Sequence, residues 1–201
     1  MGSMNSMKDN VDLANDPRWR RLWGKAWRCS HCGETHQGLF DLACGKPGPF
    51  PGPEDTAPNS ALDLSGNFLS EDFCVLNGQH FFVRAVLELP IQGSGGERFG
   101  FGVWSTLSRP NFERYVETFD SGEQDGLGPW FGWFSNRLDG YPDTANLKCQ
   151  VQPKSGRQRP RVLLEPTSHQ LAVEQQHGIT FDRVLDLYAI NGHDIRASLN
   201  D

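Results

Sequence analysis

The chain lacks three features that would place it in a broad class. It has no run of eighteen apolar residues, which predicts that it does not span a membrane. Residues 7–27 contain no apolar core of a signal peptide, which predicts a cytoplasmic protein. Basic residues are not in excess: 19 lysines and arginines stand against 25 aspartates and glutamates, a net charge of -6. This charge predicts no nucleic-acid partner and favours a basic protein partner, such as a cationic toxin.

Cysteine is scarce and odd in number. Five cysteines without an export signal argue against a disulfide framework and favour free thiols or metal ligands. Cys29 and Cys32 are two residues apart and precede Gly33, a spacing that lets both thiolates face one tetrahedral ion. A structural zinc ion needs four ligands, and we predict Cys29, Cys32, His36 and Cys74. The alternative is a pair of reduced cysteines in a tight turn.

The distribution of proline predicts how the chain is organised. Residues 1–26 are interpreted as a tail with a short helix, and residues 27–201 as a single domain. Inside that domain, residues 45–60 contain five prolines and show no periodicity, which predicts an extended proline-rich loop.

Alternating side chains predict a sheet after residue 72. Residues 73–76 and 81–90 flank Asn77-Gly78, a pair typical of a type I′ turn between antiparallel strands. Residues 99–106 alternate in the same way and predict a third strand. Shorter strands are expected at residues 130–134, 146–151 and 161–164.

Capping residues and helical spacing predict three helices in the same region. They are expected at residues 110–119 after Ser108, at 169–177, and at 181–190 after Thr180. The resulting fold class is α+β, with a mainly antiparallel sheet, helices packed on one face, and an N-terminal CxxC element.

Aromatic residues are concentrated between residues 130 and 141. We predict a binding surface at Trp104, Trp130, Trp133 and Tyr141, although aromatic side chains in a hydrophobic core are the alternative.

No phosphate-binding loop or GxSxG motif is present. The chain is therefore predicted to be a non-catalytic protein-interaction module, in its most specific form an immunity protein that neutralises a toxin.

The sequence leaves open whether the chain is an enzyme. The alternative function is a hydrolase or transferase of unfamiliar type, with a pocket lined by Trp104, Trp130 and Trp133. Its acid–base group would come from one of four residues, Glu88, Asp143, His169 or Glu174.

Six stretches, in this order, resemble a known bacterial family. They are WRCSHCGETHQGL, SEDFCVL, FFVRAVLELPI, ERFGFGVWSTLSRPNFERY, GPWFGWFSNRLDGYPDTANLK and RPRVLLEPTSHQLAVEQQHGI. Together they resemble domain-of-unknown-function family 2199 over residues 27–190. The resemblance implies a bacterial protein but no established activity, and the loop at residues 45–60 is longer than the usual connection in that family.

Overall fold

Residues 12–29 and 31–200 are described by the structure, which is a computed structural model. Over these residues the strands are β1 (Trp27–Arg28), β2 (Thr35–His36), β3 (Leu42–Ala43), β4 (Phe68–Leu69), β5 (Phe73–Leu76), β6 (His80–Pro90), β7 (Arg98–Leu107), β8 (Trp130–Trp133), β9 (Lys148–Gln152) and β10 (Arg161–Leu164). The helices are α1 (Pro17–Gly24), α2 (Arg109–Phe119), α3 (Gln170–His177), α4 (Phe181–Ile190) and α5 (Arg196–Leu199). None of these helices is long and apolar enough to cross a bilayer.

The predicted α+β class is confirmed, and the large sheet is mixed. Its strand order is β3-β7-β6-β10-β9-β8, with β4 and β5 attached to β6. Strands β5 and β6 are joined by Asn77 and Gly78, whose φ angles of 55° and 64° match a type I′ turn. The β6–β7, β9–β10 and β8–β9 pairs are antiparallel, whereas β10 pairs with β6, and β3 with β7, in parallel.

One set of alternating side chains of β6 contacts helices. Phe81 and Val83 share a buried cluster with Phe112 of α2. Leu87 lies in a second buried cluster with Leu185 of α4. Because residues separated by two positions face the same side of a strand, one register of β6 supports both helices.

The opposite side of β6 is covered by the proline-rich loop. Phe82 and the fully buried Trp104 pack there, and Phe50 of the loop lies against them. The Gly48 N–H donates to the Ser135 carbonyl oxygen at 2.7 Å and holds the loop beside the chain that follows β8. The loop therefore forms one wall above this side of the sheet.

Strand β8 returns close to β7. Phe134 forms an antiparallel bridge with Ser105, and the Trp133 N–H donates to Thr106 Oγ1 at 2.9 Å. A Cβ atom on Gly132 would clash with the Thr106 carbonyl oxygen and lie 2.5 Å from Ser105 Oγ. Glycine is required here because the two strands approach too closely for any side chain.

The Gly132→Ala variant is expected to be less stable by about 1–3 kcal/mol, because the added methyl group forces β8 away from β7. Urea unfolding followed by fluorescence measures this loss. Gly24→Ala is the matched control: no atom lies within 4 Å of its added Cβ, and alanine favours the α1 helix. Equal stability of the two variants would contradict the close strand approach.

Candidate metal centre and ligand cleft

The two cysteines lie at the tip of a short hairpin. In this hairpin β1 pairs with β2, and Trp27 lies opposite His36. The Gly33 N–H donates to the Cys29 carbonyl oxygen at 3.0 Å, and Gly33 has φ +73°, which glycine adopts without strain. Cys29 is buried and Cys32 is exposed. The turn thus presents two thiols from one short segment.

A histidine from the far end of the chain lies against these thiols. Helix α4 ends in a Schellman turn, in which the Gly192 N–H donates to the Ala189 carbonyl and the His193 N–H to the Tyr188 carbonyl. This turn places His193 Nδ1 3.4 Å from Cys29 Sγ. The ligand atoms of Cys29, Cys32 and His193 all lie within 4.8 Å of one another.

These spacings match a tetrahedral metal site. Zinc–sulfur and zinc–nitrogen bonds of about 2.0–2.3 Å place neighbouring ligand atoms roughly 3.5 Å apart. The cluster therefore needs only small side-chain movements to bind one ion.

The electrostatic environment of the cluster also suits a metal ion. Burial opposes ionisation of the Cys29 thiol, but hydrogen bonds from the backbone N–H groups of Cys32 and His31 outweigh it and lower the pKa of Cys29. Burial, followed by the nearby His31 and His36, lowers the pKa of His193. A thiolate and a neutral imidazole are the forms that coordinate zinc.

Tyr188 of α4 holds Phe40, which follows the hairpin, against that helix. Its hydroxyl donates to the Phe40 carbonyl oxygen at 2.7 Å and accepts from the Phe40 N–H at 2.9 Å. The two rings also stack, with centroids 4.2 Å apart. The His36 ring also stacks on Phe40, with centroids 4.3 Å apart, and its Nε2 lies 3.3 Å from Cys32 Sγ.

Three of the four predicted ligands are close together, and the fourth lies elsewhere. Cys29 and Cys32 share the cluster, and His36 adjoins it. Cys74 lies in β5 in a separate buried cluster with Phe82. Its side chain faces the side of the sheet covered by the proline-rich loop, and burial raises its pKa to about 12, so it stays a neutral thiol.

His193 was not among the predicted ligands. A signal for it does exist in the sequence: the pair Asn191-Gly192 follows the predicted helix and is typical of a left-handed helix end. That signal gives the position of the turn but not the partner of the residue that follows it.

A cleft opens on the side of the sheet covered by the proline-rich loop. Its volume is about 650 Å³, and its floor and walls include Leu76, Phe82 and Trp133. His80 and Arg137 contribute its basic groups. A pocket of this size with a mainly apolar lining suits an inserted side chain or a small ligand.

Of the predicted binding residues, Trp133 lines this cleft, and the other three serve packing roles. Trp104 is fully buried, and Trp130 packs edge-on against Tyr115 with centroids 6.5 Å apart. The Tyr141 hydroxyl donates to a carboxylate oxygen of Glu174 at 2.6 Å.

An apolar surface lies beside the cleft on strands β8 and β10. Phe131 and Trp133 are 43% and 40% exposed, and their rings meet edge to face at 5.2 Å. Leu163 is 41% exposed and aligns with Phe131 across Gln150 of the intervening strand β9. We call Phe131, Trp133 and Leu163 the aromatic face.

The four candidate acid–base residues are not part of the cleft lining, although one of them, Asp143, pairs with the lining residue Arg137. Each forms an ion pair or a capping hydrogen bond. The partners are Arg161 for Glu88 (2.6 Å), Arg137 for Asp143 (3.1 Å), the Leu171 N–H for His169 (3.1 Å), and Arg183 for Glu174 (3.2 Å). None of the four lines the cleft.

Comparison with known proteins yields one match. The model of a family described as "Uncharacterized protein conserved in bacteria (DUF2199)" matches residues 28–179. No curated protein and no solved structure is significantly similar to the chain. The matched segment contains Cys29, Cys32 and His36 together with the aromatic face, while His193 lies beyond it.

In the Tyr188→Phe variant the free energy of unfolding is expected to fall by about 1–3 kcal/mol, because the Phe40 N–H and carbonyl both lose their partner. Chemical denaturation in the presence of a chelator measures this loss without any contribution from a metal. Tyr115→Phe is the control, because among the described residues the buried Tyr115 hydroxyl lies beside Gln124 without a hydrogen bond of normal geometry. A Tyr188→Phe protein as stable as the control would contradict the role of Tyr188.

Proposed function

The chain belongs to the bacterial family DUF2199, and we propose that it acts as a non-catalytic protein-interaction module. The observation that carries this proposal is the aromatic face beside the cleft. The exposed rings of Phe131 and Trp133 contact each other, with Leu163 across Gln150, and aromatic residues dominate the binding energy of protein interfaces. Trp133 belongs to both the face and the cleft, so a partner covering one also reaches the other.

The chemistry of the cleft supports binding rather than catalysis. Its polar lining residues are His80, Thr106, Ser135, Arg137 and Asn146, and no carboxylate of the described residues lines it. A catalytic histidine is usually oriented by a third group such as a carboxylate, and this lining offers His80 none. An apolar side chain of a partner protein needs only the shape and the lining that this cleft has.

The net charge of -6 favours a cationic partner. The specific form of the proposal is an immunity protein that covers a basic bacterial toxin, by analogy with other small acidic proteins of that class. Long-range attraction would accelerate association, and apolar contact at the aromatic face would determine how slowly the complex dissociates.

Replacing Phe131 and Trp133 by serine is expected to weaken partner binding by about 30-fold or more, the loss typical of one interface hot spot. Calorimetry with the protein encoded by the adjacent gene measures this change. Val173→Ser is the control, because Val173 is 40% exposed but lies on α3, away from the face. Association should also slow as salt concentration rises.

Two results would contradict the interaction proposal. One is the absence of a stable partner both in native lysate and among the products of neighbouring genes. The other is a partner whose affinity falls equally in the control and in the double variant, since the aromatic face would then not be the contact surface.

We also propose that Cys29, Cys32 and His193 bind a structural zinc ion. Two thiolates and an imidazole are ligands that zinc prefers, and the CxxC turn provides hydrogen bonds to the sulfur of Cys29. Hairpin β1–β2 has strands of two residues each, too short to be stable alone. The ion would supply the free energy that holds this hairpin to α4.

Protein purified under reducing conditions without chelator is expected to contain about one zinc ion per chain, as measured by elemental analysis. Cys29→Ser and Cys32→Ser should lose the ion, and chelator should lower the melting temperature of the wild type. Cys44→Ser is the control and should retain zinc, because Cys44 lies outside the cluster. Wild-type protein without bound zinc would rule out the proposed ion.

A further inference from the structure

We propose that His36 is the fourth ligand, which makes the centre a closed Cys2His2 zinc site. This inference rests on the proposed zinc ion. It identifies the residue at the fourth coordination position, which the cluster of three ligands leaves open. Its consequence is chemical: a zinc ion with four protein ligands keeps no position for water or substrate, so the centre is structural and not catalytic.

The distances pair each thiol with one imidazole. Cys32 Sγ lies 3.3 Å from His36 Nε2, and Cys29 Sγ lies 3.4 Å from His193 Nδ1. Both values agree with the roughly 3.5 Å that separates neighbouring ligands around tetrahedral zinc. Cys29, Cys32 and His193 lie within 4.8 Å of one another, and His36 is outside that group. It would join the ion from the side of Cys32, by a movement toward the other two ligands.

The surroundings of His36 fix the orientation of its ring. The ring stacks on Phe40 at 4.3 Å with an interplanar angle of 26°, and Trp27 lies 5.1 Å away on the adjacent strand. Phe40 is itself held by the two hydrogen bonds to Tyr188. A chain of contacts from α4 therefore directs Nε2 toward Cys32, as the supporting residues of metal sites orient a histidine ligand.

The competing donors are less well placed. The exposed His31 ring lies edge-on to the His193 ring at 4.8 Å and rests against the backbone of Gly192. Cys74 lies in the separate cluster on the other side of the sheet. Among the described residues, His36 is the donor that both reaches a cluster thiol and has a fixed ring.

The proposed site links distant parts of the chain. Cys29 and His193 are 164 residues apart, whereas Cys32 and His36 lie within one hairpin. An ion bound to all four therefore closes a long loop in addition to stabilising the local turn. Such closure restricts the unfolded chain more strongly than a local link does.

Cobalt(II) binding to the reduced, metal-free protein tests the assignment, because a tetrahedral thiolate site gives strong visible d–d bands. In His36→Ala these bands should weaken, as water replaces the ligand, and cobalt and zinc affinity should fall by at least about 100-fold in competition with a chelating dye. His31→Ala and Cys74→Ala are the controls and should retain both the bands and the affinity.

A second variant separates loss of a ligand from loss of structure. His36→Phe keeps a ring to stack on Phe40 but has no nitrogen donor, so it should fold with the same circular dichroism and still show weakened bands.

The outcomes distinguish this inference from the zinc proposal on which it rests. If His36→Ala and His36→Phe retain the wild-type bands and affinity, His36 is not a ligand and the inference is overturned. If His31→Ala or Cys74→Ala loses the bands instead, that residue is the fourth ligand, and the inference is again overturned. Failure of the wild type to bind either metal would reject the zinc proposal itself.

Discussion

The ladder between β6 and β7 is the constraint on which the other elements depend. Ten residue pairs join the two strands, and side chains alternate between the two sides of the sheet along all of them. Leu87 and Leu89 thereby support the helices, while Phe82 forms part of the cleft floor. A register shift of one residue would exchange the two sides and remove the support of both the cleft and α4, the helix that leads into the turn with His193.

The sequence predicts well those parts of the fold that depend on local chemistry. The Asn77-Gly78 turn and the helices capped by Ser108 and Thr180 follow from backbone and capping preferences. The parallel pairing of β3 with β7, and of β10 with β6, could not be predicted in this way. Strand β3 has two parallel residue pairs and β10 has one, and their two and four residues are too few to carry a periodicity.

The metal centre and the ligand cleft can also be predicted only in part, because a sequence shows local signals but not the packing of distant segments. The CxxC spacing and the nearby His36 are local signals, whereas His193 reaches the cluster only through the packing of α4. Cys74 was a reasonable candidate by residue type, yet its strand position turns it to the other side of the sheet. Among the aromatic residues, composition could not separate the buried Trp104 from the exposed Trp133, because the distinction depends on which side of a strand each occupies.

The separation of the cysteines from His193 has a consequence for protein synthesis. His193 is polymerised 164 residues after Cys29, a delay of roughly 10–30 s at bacterial rates of translation. During that interval the nascent hairpin has the two thiols and His36 but not His193. If the proposed zinc site forms, a metal ion captured then would be bound incompletely and exchangeably until the end of α4 docks. The proposed site would thus be completed late in the biogenesis of this protein.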